Sequence, residues 1–239
     1  MIQESLQYLR TDEDRWVRTV LIGGILSLLS ALVVPMFLVL GYLVRVVRGT
    51  MHDDDRPPVF DEWGNLLVDG VKAFVVAFVY GLVPGIIAAV VIGGGILSFV
   101  VGGGSESGSL IGLGMVGVLL GSLLALVLSL LAAYVIPAAI AAFAETDRMG
   151  SAFSVGELRP VLTSGTYATA WVSGIAVLFG AGLIAGVLNA IPILGQIATA
   201  FLGFYAAVSA YYLIGHAWGE LREVEVAEHD DAMGESPAV

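Results

Sequence analysis

The sequence has no cysteine, which removes disulfides, thiolate metal sites and cysteine nucleophiles from consideration. It is poor in positive charge: 10 basic residues, of which Lys72 is the single lysine, face 21 acidic ones, giving a formal net charge of −11. Nucleic-acid binders carry a basic patch, so nucleic acid is not an expected partner. Recognisable catalytic patterns are missing as well. The glycine runs 93–95 and 102–104 lack a following Lys-Ser/Thr, so they are not phosphate loops, and neither a GxSxG elbow nor a His-Glu-x-x-His helix occurs. We therefore expect no enzyme, no catalytic residue, no cofactor and no metal site.

The most telling absence is that of ionisable groups from five long apolar runs, 20–44, 71–101, 110–143, 166–190 and 191–215, where Lys72 at the start of the second is the one exception. About 20 consecutive apolar residues suffice for a helix to cross the hydrocarbon of a bilayer. The 58% apolar content and mean hydropathy of +0.93 exceed the ordinary globular range of about 45–50% apolar. The expected fold is all-α, a polytopic transmembrane helix bundle with short interfacial amphipathic helices. Residues 1–218 form one integral membrane domain, and 219–239 an acidic, disordered tail.

The acidity belongs to the water-facing segments, most of all to the tail, where Arg222 is opposed by seven acids. Carboxylates hold hydration under strong salt screening, so the bias suits a high-salt cytoplasm of the halophilic archaeal kind. Residues 1–18 are of mixed charge and the run after them is too long for a signal h-region, so we expect no cleavable signal.

Between the runs the chain has a recurring grammar. At the N-terminus Ile2, Leu6, Leu9 and Trp16 recur at near-helical spacing, predicting a short interfacial helix. After the first run come Arg45 and Arg48, a polar turn from His52 to Pro58, and an apolar stripe of Phe60, Trp63, Leu66 and Leu67. Gly70 closes what reads as a second interfacial helix. After the third run come Glu145, Asp147 and Arg148, then Phe153, Val155, Leu158, Val161 and Leu162, closed by Gly165. Segments 20–101 and 110–190 thus read as a parallel repeat, with 191–215 as a final appended helix.

Simple alternation of five crossings puts seven basic residues on the side of the 45–72 and 144–165 connectors and the tail, and three on the other. The positive-inside rule then makes the C-terminus cytoplasmic and the N-terminus external. Two features work against five: Pro35 can break the first run into a re-entrant hairpin, and the third run exceeds one bilayer thickness.

Few polar groups remain inside the runs. Asn189 and Gln196 flank Pro192, and with Ser122, Ser129 and Ser209 they read as helix-to-helix hydrogen bonding and a short turn. Gly81/Gly85, Gly117/Gly121 and Gly182/Gly186 place glycine pairs on single helix faces, for close packing within the bundle or between copies. His52 beside Asp53, Asp54 and Asp55, and His229 beside Glu228, Asp230 and Asp231, match no calcium or zinc pattern and read as solvated acidic segments.

Leu21-Ile22-Gly23-Gly24, Pro35, Gly41-Tyr42-Leu43-x-Arg45-x-x-Arg48, Pro57 to Phe60 with Asp61-x-Trp63, and Asp69-Gly70-x-Lys72-Ala73 together resemble one family. It is the haloarchaeal multi-pass membrane family known as domain of unknown function 4013. Ala152-Phe153 and Tyr167-x-x-x-Trp171 fit the same pattern. The resemblance implies an integral membrane protein and brings no reaction, cofactor or site residue. The function expected is that of a non-enzymatic scaffold or assembly protein. The alternative is an uncoupled transporter or pore for a neutral or lipidic substrate, gated near Pro84, Pro137 or Pro192. Partners expected are the lipid bilayer and a second copy or another membrane protein on the glycine-rich faces, at the cell membrane.

Overall fold

The computed structural model describes residues 2–12, 15–54, 56–104 and 108–234; the side chains of 102–104, 108–111, 113 and 224–234 lie outside the description. Among the described residues the chain is all-α, with eight α-helices and no strand. They are α1 (Ile2–Tyr8), α2 (Trp16–Leu28), α3 (Val33–Thr50), α4 (Trp63–Gly104), α5 (Gly108–Thr146), α6 (Val155–Leu162), α7 (Gly165–Leu188) and α8 (Leu194–Gly234), with a 3-10 turn at Ser151–Phe153. Five of them, α3, α4, α5, α7 and α8, are long and apolar enough to cross a membrane by length and composition. Their outward faces carry Phe99, Leu119 and Val187, each more than two-thirds exposed. Apolar side chains exposed in such numbers are those of a membrane-embedded protein in contact with lipid.

The first run is where helix prediction and structure part. It is two helices: α2 ends at Leu28, the chain turns through 29–32, and α3 starts at Val33. Pro35 does not cause the break. It lies in the first turn of α3, where its missing N–H has no helical acceptor to lose. At the other end of that segment, Gly70 ends nothing, because it lies inside the 42-residue helix α4.

The chain divides into two compact units, 1–74 with 137–239, and 75–136. In the first, α8 is the axis, touching α1, α2, α3 and α7. Its centre is a cluster of Tyr8, Leu9, Tyr42, Leu43, Val46, Phe60, Leu66, Phe204 and Val208, all under 9% exposed. Tyr42 stacks on Phe60 at 4.3 Å between ring centroids, and Phe204 lies 5.5 Å from Tyr42 and 6.1 Å from Phe60. The stripe read as interfacial thus faces the core at Phe60 and Leu66, although Trp63 stays half exposed. The N-terminal helix likewise buries Tyr8 and, just beyond it, Leu9, whereas Trp16 belongs to α2.

Glycine explains why these elements approach so closely. A Cβ at Gly41 would collide with the Leu66 carbonyl, and one at Gly70 with the Phe37 carbonyl, so α3 and α4 cross backbone to backbone. Gly23 and Gly24 lie under the rings of Phe204 and Phe201. Of the six paired glycines picked out by spacing, Gly121 alone meets a neighbour, Val91; the other five have nothing within 4 Å.

The second unit is an antiparallel helical hairpin. Val118 fits against Gly95, Ser98 against Gly114 and Val91 against Gly121, so each side-chain knob enters a glycine hole on the facing helix. The 93–95 glycines therefore continue α4, and Gly95 serves as a packing surface.

Candidate functional site

Charged side chains concentrate where α3 and α5 end and α4 begins. Arg45 and Arg48 lie one turn apart in the last turns of α3, a favourable place for cations near carbonyl ends. Arg45 pairs with Asp61, reaches Glu62 Oε2 at 3.3 Å and donates to the Val59 carbonyl at 3.4 Å. Arg48 is the central tie. Its Nε donates to the Ala144 carbonyl on α5 at 3.0 Å, while its Nη1 reaches Asp69 Oδ2 at 3.2 Å and its Nη2 lies 3.9 Å from Asp147.

Asp147 also receives Lys72 Nζ at 3.2 Å, and that ammonium stands 5.2 Å from the centre of the Phe143 ring. Together Arg45, Arg48, Glu62, Asn65, Val68, Asp69, Lys72 and Asp147 line an open cleft of about 290 Å³. A few residues along, Glu145 joins α5 to α8. Its Oε2 accepts the Trp218 indole N–H at 3.2 Å and pairs with Arg222 at 3.0 Å, whose guanidinium lies 5.4 Å from the Trp218 ring. Trp218 itself is fully buried.

Chemically the cleft is spent. Each of its three cations has a carboxylate within 4 Å, so little positive field is left over for an anion. Asp61, Glu62 and Asp147 are more than half exposed, so each of their pairs is worth about 0–1 kcal/mol. Asp69, at 11% exposure, holds the tighter contact. The arrangement fastens four helix ends to one another.

The sequence reading had singled out these residues only as connector charges. The spacings Arg45-x-x-Arg48 and Asp69-x-x-Lys72 were visible, but nothing local shows which carboxylate each cation meets. The other polar groups it noted stay apart. Ser209 is buried and donates to the Tyr205 carbonyl of its own helix at 3.0 Å, while Ser122, Ser129, Asn189 and Gln196 are exposed. Asn189 ends α7 and Gln196 opens α8, with the turn between them closed by Gly195 against the Leu188 carbonyl. His52 turns its Nδ1 to the Arg48 carbonyl at 2.8 Å. Asp55 and the side chains of Glu228, His229, Asp230 and Asp231 lie outside the described residues. Among the described residues no group of three His, Asp or Glu is placed to hold a metal ion.

Five apolar helices and a belt of ion pairs at their ends define a polytopic α-helical membrane protein. The chain belongs to the family described as protein of unknown function (DUF4013), which matches residues 25–190. No curated protein and no solved structure matches it.

Proposed function

We propose that this protein is a non-enzymatic membrane scaffold, one that packs against other membrane components and helps them assemble. The observation that carries the reading is the charged cleft, whose ionisable groups are used up in joining α3, α4, α5 and α8. A catalytic or ion-coupling site needs at least one such group held back from structural pairing and aimed at a substrate. The contact surfaces proposed are the acidic tail and the open glycine faces at Gly81/Gly85 and Gly182/Gly186, against a second copy or a different membrane protein. The cell membrane, a cytoplasmic C-terminus and a high-salt interior belong to the same proposal.

The second reading, an uncoupled carrier or pore for a neutral or lipidic substrate, has one feature in its favour. An apolar groove of about 340 Å³ lies between α1, α7 and α8, lined by residues such as Leu6, Val177, Gly180 and Leu202. Two measurements on one preparation separate the readings. In-membrane cross-linking before mild solubilisation is expected to capture a stoichiometric partner or oligomer, and reconstituted vesicles are expected to pass neutral solutes and scramble lipid no faster than empty ones. A monomer without partners that accelerates either passage would overturn the scaffold reading.

A further inference from the structure

The first apolar run is bracketed in sequence by Arg18 and Arg45. As one straight helix it would hold these two charges about 40 Å apart, one at each face of a bilayer. In the structure they meet. Arg15 and Arg18 line a cleft with Asp61, and Asp61 is the carboxylate that pairs with Arg45. The two limbs also reach the same point on α8, since Gly23 of α2 lies under the Phe204 ring and Tyr42 of α3 is 5.5 Å from it. Helices α2 and α3 are thus the limbs of one hairpin with its charges at the base.

The depth of that hairpin follows from helix rise. From Arg18 to Leu29 the chain climbs about 16 Å, and from Leu32 back to Arg45 it descends about 20 Å. The hydrocarbon is about 30 Å thick. With its arginines in water, the hairpin cannot reach the far surface. Its tip is built for the hydrocarbon interior: Leu29, Leu32, Val33 and Val34 are 43–61% exposed. The turn keeps its polar groups to itself, Leu29 N donating to Ile25 O at 2.9 Å, Leu32 N to Leu29 O at 2.8 Å, and Ser30 Oγ to Leu26 O at 3.0 Å. Backbone that bonds internally is what hydrocarbon tolerates.

We propose that α2 and α3 form a re-entrant hairpin that enters one leaflet and returns. Its tip is a contact surface for lipid acyl chains, and the segment before Trp16 shares a membrane face with the 51–62 connector. Through Arg48 to Asp147, Arg148 to Glu157 and Arg222 to Glu145, that face also gathers the ends of α5, α6 and α8. All 10 basic residues then lie on one side, in place of the seven against three that simple alternation gives. The positive-inside rule makes that side cytoplasmic and moves the N-terminus there.

The absence of cysteine makes the test direct. Thr11→Cys, His52→Cys and Ser30→Cys are made singly in the full chain and exposed to a membrane-impermeant maleimide in sealed vesicles, before and after permeabilisation. The first two are expected to react from the same side, and the third at least tenfold more slowly from both sides until the protein is denatured. A nitroxide on Ser30→Cys should be relaxed more by oxygen than by an aqueous nickel chelate. Thr11→Cys and His52→Cys reacting from opposite sides, or rapid reaction of Ser30→Cys in intact vesicles, would overturn the hairpin. A disulfide between two Ser30→Cys chains would overturn the acyl-chain contact in favour of a second copy. Ala31→Cys replaces Ser30→Cys if that variant does not fold.

Discussion

Replacing Gly41 by alanine should destabilise the protein, whereas the same change at Gly81 should not. Both glycines are inside long helices, where alanine is intrinsically favoured by about 1 kcal/mol. What differs is the space each has. At Gly81 a new methyl meets nothing within 4 Å, so the propensity gain stands alone. At Gly41 it meets the Leu66 carbonyl, a backbone group with no rotamer to change, and α3 and α4 must separate. Overpacking of this kind costs about 1–3 kcal/mol, and here it also opens the crossing that brings Arg48 to Asp69. The two variants should therefore differ by about 2–4 kcal/mol, by the same overpacking and propensity magnitudes. Gly70→Ala meets the Phe37 carbonyl at the same crossing, so the double variant should cost less than the sum of the singles, the helices being already apart. The assay is equilibrium unfolding in mixed micelles, titrating a denaturing detergent into a mild one and following tryptophan fluorescence. A Gly41→Ala variant as stable as Gly81→Ala would refute the backbone crossing. A loss at Gly81→Ala that scales with protein concentration would instead reveal a contact between copies on that face.

At the other fastening, Glu145→Gln keeps an acceptor for the Trp218 indole and loses only a pair about one-third exposed, so it should cost at most about 1 kcal/mol. Glu145→Ala strands the buried indole N–H and should cost about 2–3 kcal/mol, with a shift in Trp218 emission. In the turn before α8, Ile193 holds a left-handed φ of 65°, which costs a β-branched residue about 1–2 kcal/mol. Ile193→Gly should raise thermal stability by about 1 kcal/mol in the same micelles, and a loss of stability would show that the side chain has a packing role.

Four of the long helices were legible because hydropathy is a local property. The run 110–143 became Gly108–Thr146 and the run 166–190 became Gly165–Leu188, each within a few residues. The break in the first run was not legible, since Leu28-Leu29-Ser30-Ala31-Leu32 contains no charge, glycine or proline. The visible breaker, Pro35, sits where a helix accepts it. Gly70 was misread for a related reason. A glycine that stops a helix and one that admits a neighbouring backbone look alike in sequence, and the carbonyl that decides the matter belongs to Phe37, on another helix. The charged cleft combines both limits. Its members were counted correctly, but pairs such as Arg48 with Asp147 span parts of the chain that only the fold brings together.

A shared turn chemistry supports the proposal that α3 to α4 and α5 to α7 are degenerate copies of one unit. Each first helix ends beside an aspartate in the left-handed region, Asp53 with φ 54° and Asp147 with φ 53°. Aspartate tolerates that region better than most residues. Each also turns its carboxylate toward a group on another helix: His216 Nδ1 at 3.7 Å from Asp53, and Lys72 Nζ at 3.2 Å from Asp147. The copies then diverge for a physical reason. In the second, Ser164 caps the next helix by accepting the Tyr167 N–H at 3.1 Å, so α6 and α7 stay separate. In the first, Gly70 lets α4 run unbroken across α3. One turn signal thus serves two connections, and the residue that closes each segment, serine with glycine in one and glycine alone in the other, decides whether the interfacial helix stays separate or fuses with the span that follows.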